Sequence, residues 1–147
     1  MTKLSKPNLQ AFLFAQGIPL ESLSIPVDYY SLWTDGFIMG PFSNAFMESE
    51  DSLDRTYTSG ENQCTTFANR CKAFADETFL HDPNAPKDTA IAFAEFRYIK
   101  TNGDGHSINA AVTRYDEELK LRFYDPQLCI YVTLSRSEVS SCVACIF

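Results

Sequence analysis

Gly105-His106-Ser107-Ile108-Asn109-Ala110-Ala111-Val112-Thr113-Arg114 runs on through Tyr115-Asp116-Glu117-Glu118 into Leu119-Lys120-Leu121-Arg122-Phe123-Tyr124-Asp125. Strand side chains alternate with period two. His106, Ile108, Ala110 and Val112 therefore share one face, and Leu119, Leu121, Phe123 and Asp125 share another. Folded as an antiparallel hairpin with a polar turn around Arg114 to Glu117, Val112 meets Leu119, Ala110 meets Leu121 and Ile108 meets Phe123. His106 then meets Asp125. The opposite face pairs Asn109 with Arg122, Ala111 with Lys120 and Thr113 with Glu118, and is expected to turn outward. Apolar-in, polar-out patterning specifies the faces. Directly opposed Cβ atoms lie about 4.5–5.5 Å apart, a spacing that suits an imidazole–carboxylate hydrogen bond. A shift of two residues keeps the faces and makes the pair diagonal, so the faces are better specified than the pairing.

Upstream, the spacing of Cys64, Phe67, Ala68, Cys71, Phe74 and Ala75 is one stripe of a 3.6-residue period and predicts a helix over about 62–78. Ser59 or Asn62 can cap it, Gly60 makes the entry turn, and the Pro-rich segment 81–86 ends it. Thr89 to Lys100 alternates as a strand, and Asn102-Gly103-Asp104-Gly105 is a strong turn. A further strand is expected over Leu128 to Leu134, carrying Cys129, and a short helix or closing strand from Ser135 onward. Near the N-terminus, Pro7 to Gln16 reads as a short helix ended by Gly17. The first third is otherwise irregular and rich in aromatics, with Tyr29, Tyr30, Trp33 and Phe37 expected to pack on the core. Residues 48–54, with Glu48, Glu50, Asp51 and Asp54, read as a solvated acidic loop without EF-hand spacing. Irregular segment, helix, then antiparallel meander is an α+β order, with the Cys64 helix packed on the meander. The whole chain, 1–147, is expected to form one domain with its core at about 59–134.

Composition supports a packed core: 147 residues, 45% hydrophobic and 21% charged, with twelve Phe and seven Tyr. A formal charge of −7 argues against a phosphate-backbone partner, and no apolar run approaches a membrane span. Five cysteines without a secretory signal favour reduced thiols, hence a cytoplasmic or other intracellular setting. The only histidines are His81, in a Pro-rich turn and expected at the surface, and His106.

Cys64 falls in the first turn of the predicted helix, where the dipole and free N–H groups favour a thiolate and can donate to an oxyanion. An imidazole from the sheet would complete a Cys–His pair, oriented by Asp125. Cys71, two turns on, lacks those N–H groups and reads as core. Cys142-x-x-Cys145 has neither the further ligands of a zinc site nor the helix-opening place of a thioredoxin motif, and also reads as core.

Three segments together resemble the papain-like and transglutaminase-like thiol enzymes: Glu61-Asn62-Gln63-Cys64-Thr65-Thr66-Phe67-Ala68 opening a helix, Gly105-His106-Ser107-Ile108-Asn109-Ala110 opening a strand, and Phe123-Tyr124-Asp125-Pro126-Gln127 ending the next. Also similar is the small papain-like protease domain attached to some fungal galactose-binding agglutinins, whose third member is a glutamate. The resemblance spans about residues 59 to 134. It implies a helix on an antiparallel sheet and acyl transfer through a thioester, with Cys64 as nucleophile, His106 as base then acid, and Asp125 as orienter. Gln63 or the Cys64 backbone N–H is implied as oxyanion donor; Asn109 and Trp33 complete the candidates for oxyanion or substrate contacts. The tryptophan that often follows the nucleophile in these families is Thr65 here, and no upstream glutamine stands at papain-like spacing.

Two functional classes follow. The first is a thiol acyl-transfer enzyme acting on protein or peptide amides: a cysteine peptidase or amidase, or a transglutaminase- or deamidase-type enzyme. The second is a binding or assembly module that keeps the fold without catalysis and uses the Tyr29–Phe37 aromatics as its interface. No motif requires a cofactor or a metal.

Overall fold

The computed structural model describes residues 3–52 and 63–147. The expected helix caps Ser59 and Asn62, the turn at Gly60, and Asp54 lie outside the described residues. In chain order the elements are β1 (Lys3–Ser5), α1 (Lys6–Ala15), β2 (Leu23–Ser24), β3 (Tyr29–Ser31), α2 (Asp35–Phe37), α3 (Ser43–Ser52) and α4 (Gln63–Leu80). They continue with β4 (Ala90–Ile91), β5 (Phe93–Ile99), β6 (Gly105–Tyr115), β7 (Glu118–Asp125), β8 (Ile130–Val132), α5 (Arg136–Ser140) and β9 (Ala144–Ile146). The fold is α+β. The larger sheet has the order β2-β9-β5-β6-β7-β8, antiparallel except for the β2–β9 pair. A smaller sheet, β1-β3-β4, adjoins it through Ala92. That residue donates its N–H to Ser31 O at 2.9 Å, and its carbonyl accepts from Val112 N at 3.0 Å.

The meander is as expected, but its register is not. Val112 lies opposite Leu121, Ala110 opposite Phe123 and Arg114 opposite Leu119, two residues away from the pairing drawn from the pattern. The cause is the turn. Tyr115 pairs with Glu118, leaving only Asp116 and Glu117 as the loop, with Asp116 at φ 53°. A two-residue hairpin needs positive φ at its start to match strand twist, and aspartate tolerates that conformation better than most residues. The expected pairing centres the turn between residues 115 and 116; the observed turn is centred one residue later, between 116 and 117, and that moves every pair by two. His106 and Asp125 are therefore not directly opposed.

The faces hold, but neither turns outward. Ile108, Ala110, Val112 and Phe123 pack with Phe96, Leu9 and Leu13 of α1 and Val139 of α5. The other face, expected to be solvated, lies under helices: Phe93, Ala111 and Tyr124 pack against Cys71 and Ala75 of α4 and against Phe42 and Phe46. Of its polar residues, Asn109 and Thr113 are buried and hydrogen-bonded, Lys120 and Arg122 are partly buried, and Glu118 is exposed as expected. Asn109 Nδ2 donates to Ala68 O at 3.0 Å and to Ala94 O at 3.1 Å. Thr113 Oγ1 donates to Asp35 Oδ1 at 2.9 Å, an oxygen that also accepts from Tyr131 OH at 2.8 Å. Alternation cannot distinguish a solvated polar face from one that meets a helix through a few satisfied amides and hydroxyls.

Elsewhere, α1 starts at the Ser5 cap and ends before Gly17 at φ 99°, close to expectation. The segment read as irregular carries three strands and a helical run that starts at the Thr34 cap. In that run Pro41, which lacks an N–H, sits in a π turn over Ile38–Phe42. Tyr30 and Trp33 are buried, whereas Tyr29 is exposed. The expected acidic loop is instead the end of α3. Glu50 there is buried and held by Arg70 of α4, with Nη2 to Oε2 at 2.8 Å. Cys129 is in the turn before β8 at φ 55°, not in a strand. The C-terminal stretch is both helix and strand, its helix opened by a Ser135–Glu138 capping box. No helix among the described residues is long and apolar enough to cross a membrane.

Asn109→Ala removes one bond that ties α4 to the sheet, to Ala68 O, and one to Ala94 O of β5, but also removes Oδ1, which has no partner among the described residues. The gain partly offsets the loss, so urea unfolding should show a destabilisation of about 1–2 kcal/mol.

Candidate active site

Helix α4 runs in the same direction as β6. Ala68 meets Asn109, and one turn earlier Thr65 Oγ1 and Ser107 Oγ share a hydrogen bond of 3.0 Å. This brings the first turn of the helix, with Gln63 and Cys64, to the start of the strand, with Gly105 and His106. Cys64 is the one cysteine of five that is not buried; Cys71, Cys129, Cys142 and Cys145 are interior, and all five are free thiols. The expectation that four of the cysteines are core residues agrees with their burial. Desolvation raises each of those four thiols, most strongly Cys71 and Cys145.

The sequence pattern pictured the helix on the same face as His106. It lies on the opposite one. Ser107, Asn109 and Ala111 point to α4, and His106 alternates with them toward the face of Tyr98 and Ile108. The imidazole is half-buried at the very start of β6, where strand β5 places Tyr98 directly across from it. The two rings meet edge to face, with centroids 5.8 Å apart and planes at 76°.

Charge links the remaining members. Burial pulls the His106 imidazolium below its ordinary range, Lys100 reinforces this, and Asp125 opposes it. The Tyr98 phenol is pushed up to about 12, chiefly by burial and then by Glu138, Asp125 and Cys64. Cys64 and Asp125 are thus both within electrostatic reach of Tyr98, which touches His106. The hydrogen bond given to the Asp125 carboxylate comes from the backbone N–H of Gln127 at 2.9 Å, an Asx turn at the end of β7. Asp125 acts on His106 through its field rather than through a direct bond. A neutral imidazole near pH 7 and a carboxylate beside it form a base that can accept a thiol proton and be stabilised once charged.

The other candidates separate. Gln63 opens α4 beside Cys64 and is partly exposed. Asn109 is fully buried with both amide bonds made to Ala68 and Ala94, so it anchors the helix and faces no substrate. Trp33 packs on Phe37, Phe42 and Phe93 under the α2–α3 run. It lines a cavity of about 490 Å³ with Leu32, Phe37, Asp82 and Arg114, which includes none of Cys64, His106 and Asp125. A cavity of about 810 Å³ lies at the far end of α4 between Tyr30, Phe79, Ile91 and Phe147. His81 is exposed, as expected, with Nδ1 against Glu77 O at 2.9 Å. Among the described residues no cluster of His, Cys, Asp or Glu has the makings of a metal site.

Tyr98 and the Thr65–Ser107 pair are the neighbours that sequence reasoning missed. A signal for Tyr98 was present: the Asn102-Gly103 turn, with Gly103 at φ 93°, sets the β5–β6 register and so places residue 98 opposite 106. Nothing in the sequence pairs Thr65 with Ser107, because that contact exists only when helix and sheet dock.

No protein-family model and no curated protein matches this chain. Solved structures do. The PSL1a–E64 complex superposes with a TM-score of 0.73 at 18% identity, over 99% of this chain and 51% of that one. A Polyporus squamosus lectin bound to a human-type influenza-binding epitope gives 0.73 at 19% identity, over 99% of this chain and 49% of that one. This chain therefore shares its fold with about half the length of those proteins.

A proton NMR titration of His106 should give a midpoint below 6.5. Asp125→Asn removes a negative charge that favours the imidazolium, so the midpoint should fall further; Lys100→Gln removes a repelling positive charge, so it should rise. No change in Asp125→Asn would show that the carboxylate does not act on the ring.

Proposed function

We propose that this chain is a cysteine hydrolase or acyltransferase acting on peptide-like amides, with Cys64 as nucleophile, His106 as general base and acid, and Asp125 as the group that stabilises the imidazolium. The observation that carries this proposal is the meeting of two elements: the α4 first turn bearing the one accessible thiol, and the start of β6 bearing a half-buried imidazole. The shared fold with PSL1a, solved as a complex with the cysteine-protease inhibitor E64, supports the same chemistry.

In the proposed reaction His106 takes the Cys64 proton as Sγ bonds to the substrate carbonyl carbon. The negative charge that develops on the carbonyl oxygen faces the N–H groups of the α4 first turn and Gln63. His106 returns the proton to the amide nitrogen, the C–N bond breaks and the amine leaves, so that a thioester remains on Cys64. An incoming water or amine gives a proton to His106 as it attacks the thioester carbon. The C–S bond then breaks and the proton goes back to sulfur. Hydrolysis and transfer differ only in that acceptor. The protein needs no metal for these steps, because its own N–H groups and imidazole supply the charge and proton relay.

Brief treatment with iodoacetamide at neutral pH should modify one cysteine per chain in the wild type, and mass spectrometry should locate it at Cys64. Cys64→Ala should remain unmodified over the same interval. His106→Ala should slow turnover of peptide amides by roughly 10² or more. Equal modification of wild type and Cys64→Ala would sink the assignment and favour a binding module with an inert Cys64.

A further inference from the structure

The candidate reactive residues sit on opposite sides of the α4–β6 contact, and the polar link across that contact nearest to them joins their immediate chain neighbours. Thr65 follows Cys64, and Ser107 follows His106. Their hydroxyls share a 3.0 Å hydrogen bond, and Ser107 is buried. From this geometry we infer that the Thr65–Ser107 hydrogen bond is a clamp that sets the position of the Cys64 sulfur relative to the His106 imidazole. Thr65 and Ser107 are thus positioning residues for the reaction. This inference rests on the function proposed above.

The argument is one of chain geometry. Adjacent Cα atoms are held 3.8 Å apart by planar trans peptides, so fixing residues 65 and 107 leaves residues 64 and 106 little freedom. Alternation along β6 sends Ser107 toward the helix because His106 faces away from it. In α4, neighbouring side chains are turned about 100° from one another, so Thr65 can meet the sheet while Cys64 is directed elsewhere, partly exposed. The next polar anchor, Asn109 to Ala68, lies one helical turn further along. Thr65 is β-branched and so stiff about χ1 in a helix, which makes it a firmer point of attachment than a longer polar side chain. The position that often carries tryptophan in the thiol enzymes of similar motif holds a hydroxyl here, and that hydroxyl has a partner on the strand of the base.

The test measures the rate of Cys64 alkylation by iodoacetamide in the full chain from about pH 5 to about pH 9, with thermal melting in parallel. Thr65→Val keeps shape and removes the hydroxyl; Ser107→Ala removes its partner; Thr65→Ser restores a donor. Each single loss should slow His106-dependent alkylation about ten-fold and flatten the inflection that His106 imposes on the pH profile. The double variant should be no slower than either single one, since one bond is lost in all three. Thr65→Ser should recover the wild-type profile. Lowered melting temperatures with an unchanged pH profile would overturn the clamp, because a purely structural contact moves only stability. Losses that multiply in the double variant would overturn it too. If wild-type alkylation shows no His106 dependence at all, the catalytic assignment and the clamp both fall. An inflection present in the wild type and preserved in the variants removes the clamp alone.

Discussion

Helix α4 can lie close against β5 and β6 because both surfaces are small where they touch. Ala68, Cys71 and Ala75 are fully buried on the helix, and Ala111 and Phe93 face them from the sheet. Close approach of two backbones brings polar groups within reach, and the sequence supplies Asn109 and Ser107 at alternate positions of β6 to use it. A single physical constraint, the docking of this helix on the face that the pattern marks as polar, decides much else. It buries the second core and orders which end of the helix meets which end of the strand.

Around that contact the sheet is covered on both sides. On one side α1 and α5 seal the Phe96, Ile108, Ala110 and Val112 face. On the other, the α2–α3 run packs its aromatics against Phe93 and Tyr124, where Ser43 and Tyr124 share a buried 2.8 Å hydroxyl contact. Each large side chain fully removed from water contributes roughly 1.5–3 kcal/mol. The charges in these layers are paired: buried Glu50 with Arg70, buried Glu95 with Arg97, and partly exposed Asp35 with Arg122 in two contacts, of which Nη2 to Oδ2 is 2.9 Å. Arg122 lowers the Asp35 carboxyl against the opposing effect of its burial. Ion pairs of this kind stabilise less through their own attraction than by avoiding an unpaired buried charge, and here the Glu50 and Asp35 pairs fix where the helices land.

The candidate site differs from the rest in leaving its groups incompletely committed. Cys64 and His106 are neither fully buried nor fully exposed. The ring of His106 has an aromatic edge on one side and opposing charges from Lys100 and Asp125 on others. A base held neutral by partial burial, with a carboxylate in reach of its charged form, is suited to moving a proton back and forth.

What the sequence determined is what is local or strictly periodic. The stripe from Cys64 to Ala75 marked a helix, alternation marked β5 to β7, Gly17 and Gly103 marked stops and turns, and the burial of Cys142 and Cys145 followed from the absence of companions. The candidate reactive residues could be named from the sequence because each sits at the end of a recognisable element. Tertiary structure decided the rest. A period of two tells the two faces of β6 apart but cannot say which one a helix will cover. A turn centred on Asp116 and Glu117 and one centred a residue earlier leave the same alternation and differ in every pair they make. In the acidic run Glu48 and Asp51 are exposed as expected, but the burial of Glu50 was hidden because its partner, Arg70, lies twenty residues further on. The contacts that join α4 to β6, Thr65 with Ser107 and Ala68 with Asn109, span some forty residues and arise only when the helix docks.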